Sequence, residues 1–172
     1  MRKSFALSLC FLLSACSQTA LEKLNSGYDA FLETSDSSLY KDLAKTQNPH
    51  TLVIACSDSR VVPEYIFNVK AGDLFSLRLP SADTDVSAAV DYAVNTLKIK
   101  NIVILEHSDC SGLQDKAIRE RGIKRLNALK SVPAVKFALL SDKDFSVSLM
   151  MFDIKTRTLF AYNAEENEWD DI

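Results

Sequence analysis

Apolar residues recur at helical spacing between Thr19 and Lys45, at Leu21, Leu24, Tyr28, Phe31 and Leu32, then at Leu39 and Leu43. That pattern predicts one or two amphipathic helices, broken near Ser35 to Ser38. Thr51 to Ala55 is a short apolar run with β-branched residues, which predicts a buried strand, and Leu74 to Leu77 predicts a second. From Val86 to Leu97 the apolar spacing returns to three and four, hence a helix. Asn101 to Leu105 has no polar face, as expected of a parallel strand covered on both sides. A helix is expected to begin at Ser111 and run to Arg121, with Gly122 as its stop; Lys124 to Leu140 is interrupted by Pro133 and left unassigned. Val147 to Ile154 and Thr158 to Tyr162 predict two strands joined by the turn Lys155-Thr156-Arg157. Strands alternating with helices imply an α/β fold with a mostly parallel central sheet flanked by helices.

The first sixteen residues have a different character. Arg2 and Lys3 precede an apolar run from Phe5 to Leu13, followed by Leu13-Ser14-Ala15-Cys16. The run is far short of the ~20 residues that span a bilayer as a helix, so it reads as an export signal. Small residues before a cysteine resemble a lipobox, which implies cleavage before Cys16 and lipidation of that cysteine. Ser17 resembles the outer-membrane sorting pattern of Gram-negative lipoproteins. The expected location is therefore the periplasmic side, lipid-anchored, in the outer membrane of a Gram-negative bacterium.

Composition adds exclusions. The formal charge is −3 over 172 residues, and losing Arg2 and Lys3 with a leader makes the chain more acidic. Nucleic-acid binding, which rests on clustered Lys and Arg, is not expected. The acids gather at Glu165, Glu166, Glu168, Asp170 and Asp171, which reads as a solvated tail. The domain boundaries expected are a signal peptide at 1–15, a tether and helical arm at 16–46, one compact domain at 47–163 and the acidic tail at 164–172.

Sites in parallel sheets form beyond the carboxyl ends of the strands. Two segments lie there: Cys56-Ser57-Asp58-Ser59-Arg60 after the first strand, and Glu106-His107-Ser108-Asp109-Cys110 after the third. Two thiolates and an imidazole suit zinc, and three protein ligands leave one position open for chemistry. The spacing of three lets His107 and Cys110 face one point, and neighbouring strands would bring Cys56 to it. Asp58 and Arg60 can bridge across a tight loop, which holds the carboxylate ionised and oriented. On spacing alone, a Cys56–Cys110 disulfide stays open beside the metal site.

Ala55-Cys56-Ser57-Asp58-Ser59-Arg60-Val61, then Pro63-Glu64, then Ala71-Gly72-Asp73-Leu74-Phe75 resembles the signature of the beta-class carbonic anhydrases. Asp91-Tyr92-Ala93-Val94, the strand from Asn101 and His107-x-x-Cys110 resemble the same family in order and spacing. The likeness runs from Gln47 to Gly112, with an echo at Phe152-Asp153-Ile154-Lys155-Thr156. It implies Cys56, His107 and Cys110 as zinc ligands and Asp58 and Arg60 as the catalytic pair. It also implies Gln47 as a substrate-binding side chain, Phe75 and Tyr92 as walls of a carbon dioxide pocket, and a backbone N–H at Ser111 that contacts substrate. The implied reaction is reversible hydration of carbon dioxide to bicarbonate and a proton by hydroxide formed on zinc. The implied assembly is a homodimer or higher homo-oligomer, with the N-terminal helices packed on the partner and the pocket at the interface. An enzyme of the same fold acting on carbonyl sulfide or carbon disulfide, and a non-catalytic zinc-binding lipoprotein, are the alternatives. Two departures stand out: Arg78-Leu79-Pro80-Ser81-Ala82 keeps only the arginine of the family's stretch, and Glu106 stands where the family has glycine. Glu106 puts a bulky charge beside the metal unless it turns away and pairs with a basic residue.

Overall fold

The computed structural model describes residues 18–172; Cys10, Cys16 and the rest of the expected signal lie outside the described residues. The chain divides into two units, Met1–Ala44 and Lys45–Ile172. Within the first, helix α1 (Ala20–Thr34) starts at a capping box, in which Thr19 and Glu22 each accept a hydrogen bond from the other's backbone N–H. The chain then breaks at Ser35, and Asp36 caps α2 (Ser37–Leu43) by accepting from the Ser38 N–H. Phe31 and Tyr40 meet edge to face with ring centroids 5.4 Å apart. No residue of either helix is buried, and no helix among the described residues is long and apolar enough to cross a membrane.

The second unit is one six-stranded sheet. Its strands are β1 (Thr51–Cys56), β2 (Leu74–Leu79), β3 (Asn101–His107), β4 (Ser146–Phe152), β5 (Leu159–Asn163) and β6 (Glu168–Asp171). Their order is β2-β1-β3-β4-β5-β6. The first four run parallel, while β5 and β6 return antiparallel at one edge. The connections include a single turn α3 (Pro63–Ile66) and α4 (Ser87–Asp91), which continues as a π-helical stretch Tyr92–Thr96. Two longer helices follow, α5 (Asp115–Lys130) and α6 (Pro133–Ser141).

Side-chain alternation builds the core. Leu52, Ile54, Ile102 and Ile104 point to one face, where Val90, Ala93, Leu126, Leu129 and Val135 cover them. Val53, Ala55 and Leu105 point to the other, against Val61, Ile66 and Phe67. Both faces of β1 and β3 are therefore buried, which is why these strands read as unbroken apolar runs. Each fully buried Leu or Ile contributes roughly 1.5–3 kcal/mol of transfer free energy, so the two central strands are the most firmly held part of the unit.

Two expectations are corrected here. Gly122 does not stop a helix, because α5 runs through it to Lys130. The glycine is there for space: a Cβ at this position would stand 2.9 Å from Leu149 Cδ1 and 3.2 Å from Glu106 Cγ. Close approach of α5 to the sheet holds the helix together against the low helix propensity of glycine. Nor is the acidic end a free tail. Glu168–Asp171 pairs with β5, with Trp169 opposite Tyr162 and their rings 5.4 Å apart. Arg119 lies over both Trp169 and Phe160, 4.9 and 5.0 Å from their centroids, so aromatic anchoring outweighs the charge of the neighbouring acids. The interruption expected near Pro133 falls at Ser131-Val132, between α5 and α6, with Pro133 as the first residue of α6.

Candidate metal centre

The strand order reverses at β1. From it the chain passes to β2 on one side, and the later β3 pairs on the other. That switch opens a crevice beyond the carboxyl ends of β1 and β3. Register places Ala55 beside Leu105, so the residues that follow, Cys56 and the Glu106–His107 pair, reach the crevice together. The condition left open by the sequence, that the two strands be neighbours, is met.

Among the described residues, Cys56, His107 and Cys110 form a metal-capable group whose ligand atoms all lie within 4.8 Å of one another. Both cysteines are free, so the disulfide alternative is not realised. His107 is fully buried. Its Nδ1 stands 2.8 Å from the Ser108 carbonyl oxygen, which can only accept, so Nδ1 carries the proton and Nε2 keeps its lone pair. That Nε2 is buried and has no hydrogen-bond partner. A buried orphan of this kind costs about 1–3 kcal/mol unless something fills the position. An orphaned imidazole nitrogen facing two soft sulfurs is a donor set that fits zinc, with three protein ligands and one position left over. Ser108 helps to hold the histidine loop: its N–H donates to the Phe152 carbonyl, and its Oγ accepts from the Ile154 N–H at 3.0 Å.

The loop after β1 is stiffened from several sides. Asp58 N–H approaches Cys56 Sγ at 3.4 Å. Arg78 from β2 donates to the Cys56 and Asp58 carbonyls at 3.0 and 2.7 Å. The Asp58 carboxylate accepts a two-pronged pair from Arg60, Nε to Oδ1 at 3.0 Å and Nη2 to Oδ2 at 2.7 Å, and also the Arg60 backbone N–H. The Arg60 guanidinium and N–H hold the Asp58 carboxyl well below the usual carboxylate range. Asp58 and then Asp109 hold Arg60 charged, its Nη1 reaching Asp109 at 2.8 Å. The loop that carries Cys110 is backbone-strained, since Asp109 and Ser111 both adopt positive φ (57° and 54°), a region non-glycine residues seldom enter.

A cavity of about 320 Å³ adjoins the cluster, lined in part by Cys56, Cys110, Ser111, Glu106, Arg121 and Arg125. Ser111 lines the cavity. Gln47, Phe75 and Tyr92 do not line this cavity. Phe75 pairs with Leu52, four rows from Cys56 and so roughly 13 Å down the strand. Tyr92 stands 6.0 Å from Phe75, centroid to centroid, and Gln47 is exposed. A single chain does not bring these three to the cluster. The sequence reading assigned no role to Arg78, Asp109, Arg121 or Arg125. The local signal for Arg121 and Arg125 was Glu106 itself, a carboxylate ending an apolar strand and in need of a cation.

Fold and site define an α/β protein with an open Cys-His-Cys metal centre at its switch point. Residues 51–132 match the family model described as carbonic anhydrase. Beta carbonic anhydrase 5, chloroplastic, of Arabidopsis thaliana is 42% identical over 83 residues, covering 44% of this chain and 28% of that protein. Beta carbonic anhydrase 3 of the same plant is 36% identical over 107 residues, covering 55% of this chain and 42% of that protein. The chain thus spans well under two thirds of the relatives it matches. The beta-carbonic anhydrase CcaA superposes with a TM-score of 0.78 at 24% identity, over 88% of this chain and 92% of that one. A tetrameric beta-carbonic anhydrase of Sordaria macrospora superposes with a TM-score of 0.66 at 24% identity, over 83% and 94%. Residues 51–132 are thus similar in sequence to the beta carbonic anhydrases, and the fold is that of the beta-carbonic anhydrase structures.

Proposed function

We propose that this chain catalyses the reversible hydration of carbon dioxide to bicarbonate, with zinc held by Cys56, His107 and Cys110. The observation that carries the reading is the convergence of two free thiols and an uncommitted His107 nitrogen within 4.8 Å, with Asp58, two residues after Cys56, ion-paired to Arg60. Zinc, when bound, would supply a Lewis acid that lowers the pKa of a water to about 7. The chain's own residues do the rest. His107 is kept in the correct tautomer by the Ser108 carbonyl. Asp58, held ionised by Arg60, would be the acceptor in this scheme, orienting a water and receiving a hydrogen bond or proton at its carboxylate. Arg60 keeps that carboxylate aimed, and Asp109 keeps Arg60 in place. A purely structural zinc site takes four protein ligands and needs no such pair.

Gln47, Phe75 and Tyr92 enter this scheme through a second copy of the chain, whose corresponding residues would complete the substrate pocket at a dimer interface. Stopped-flow carbon dioxide hydration, with zinc content measured on the same sample, tests the reading. About one zinc per chain and activity above buffer are expected in the parent, and both should disappear in Cys110→Ser. Zinc without activity from neutral to alkaline pH overturns it.

We also propose export and anchoring through a lipid on Cys16, from the order of charge, apolar run, small residues and cysteine. Expression with labelled fatty acid should give label on the parent chain and none on Cys16→Ser. Equal label on both, or none on either, rejects the anchor.

A further inference from the structure

Glu106 is only 2% exposed and is met from two sides by arginines one turn apart on α5. Arg121 Nη2 donates to Oε2 at 2.6 Å, and Arg125 Nη1 donates to Oε1 at 2.7 Å. Both carboxylate oxygens are thereby taken, and two guanidiniums face one carboxylate. One positive charge is left over in a cluster whose arginine side chains are 24% and 17% exposed. A charge held that far from water is unfavourable unless a counter-charge reaches it.

The two arginines differ in the donors they have left. Arg121 has closed the side edge of its guanidinium, since Nη2 is on Glu106 and Nε is buried without a partner. Arg125 commits only Nη1 to Glu106. Among the described residues its Nε and Nη2 have no partner, and neither is enclosed as Arg121 Nε is. Those two nitrogens form the side edge of the guanidinium, a planar pair of N–H donors that matches the two oxygens of a carboxylate-type anion. Arg125 lines both the 320 Å³ cavity beside the metal cluster and a larger one of about 590 Å³, walled by α5 and the segment 82–87. The smaller cavity is also lined by Cys56 and Cys110, so an anion on Arg125 would sit close to the metal centre.

We propose that the side edge of Arg125, held in place by Glu106, is a binding site for a small planar oxoanion of the carboxylate class, and that bicarbonate occupies it. The site gives the anion a foothold as it leaves or approaches the metal, while uncharged carbon dioxide has no use for it. Only the choice of bicarbonate rests on the function proposed above; the site itself does not. Asp83, exposed on the loop after β2, lines both cavities as well and is the carboxylate that competes for the same edge.

The test uses the parent full chain, zinc-loaded and after chelation, at constant ionic strength. Isotope-labelled formate is the probe, and its NMR line width is the readout. Formate should broaden in both samples, and bicarbonate should displace it at about tenfold lower concentration than chloride, which has no second oxygen for the fork. Arg125→Met should weaken formate binding by about tenfold or more, the scale of a lost hydrogen bond to a charged group. Arg121→Met removes the same charge but not that edge, and should weaken it by about threefold or less. Arg125→Lys keeps the charge and a partner for Glu106, so it should fold as the parent does. Without the planar fork it should lose the preference for bicarbonate over chloride. Asp83→Asn should tighten binding. Broadening that requires zinc places the anion on the metal and overturns the proposal. Equal losses in Arg121→Met and Arg125→Met, which mean charge alone, overturn it too, as does a parent chain that leaves formate sharp. Formate that binds without metal but is not displaced by bicarbonate overturns the choice of bicarbonate. None of these outcomes is a zinc content or a hydration rate, so the proposed function stands or falls separately.

Discussion

The metal-free double variant Arg121→Met, Arg125→Met should lose about 3 kcal/mol or more of unfolding free energy, and more than its two single variants combined. The reason is the asymmetry of a buried ion pair. Assembling one from water gains little net, but removing its partner strands a charge where water cannot reach it, at a cost of about 3–5 kcal/mol. Glu106 is 2% exposed, and both carboxylate oxygens are committed to these two guanidiniums. Each single variant leaves one cation in contact and a full charge balance. The double variant leaves none, so the effects are coupled and not additive. Denaturant unfolding of the four proteins without metal, to keep zinc linkage out of the comparison, reads the coupling directly. A double variant whose loss equals the sum of the singles would mean that Glu106 finds another partner or water.

The second large effect is catalytic. Asp58→Ala should lower carbon dioxide hydration by about a hundredfold or more, the scale of a positioned acid–base group, while zinc content and folding stay as in the parent. Asp58 lies in a loop held independently by Arg78 through the Cys56 and Asp58 carbonyls, so losing the side chain leaves the backbone anchored. The Cys56, His107 and Cys110 donors also remain. Normal zinc content with a rate within about threefold of the parent would remove Asp58 from the mechanism. It would point instead to a site in which the Arg60 pair only shapes the loop.

Most of the central sheet was legible in the sequence for a local reason. β1 and β3 are apolar on both faces, and that pattern survives any packing context in which they are interior strands. The helix over Val86 to Leu97 was legible in the same way, though its second half winds as a π-helix. The failures share a different cause. Gly122 read as a stop because glycine ends helices in isolation, but here it sits under Leu149 and Glu106, contacts that no window around residue 122 contains. Glu168–Asp171 read as a tail because acids favour solvent. The strand exists because Trp169 packs on Tyr162 and receives Arg119 from another element.

The same division runs through the site. Residue identities and short spacings offered the three metal donors and the Asp58–Arg60 pair beside a Cys56–Cys110 disulfide, and the resemblance to a family chose the metal reading. Only the tertiary structure decided that β1 and β3 are neighbours, so that Cys56 meets His107 and Cys110. It alone gave Arg60 a second carboxylate 49 residues away, and turned Glu106 from a threat into a partner of Arg121 and Arg125. It also set Gln47, Phe75 and Tyr92 apart from the chain's own cavity. Chemical capacity is a property of side chains and their near neighbours, whereas charge balance and convergence are set by contacts between distant segments, which exist only once the core has closed.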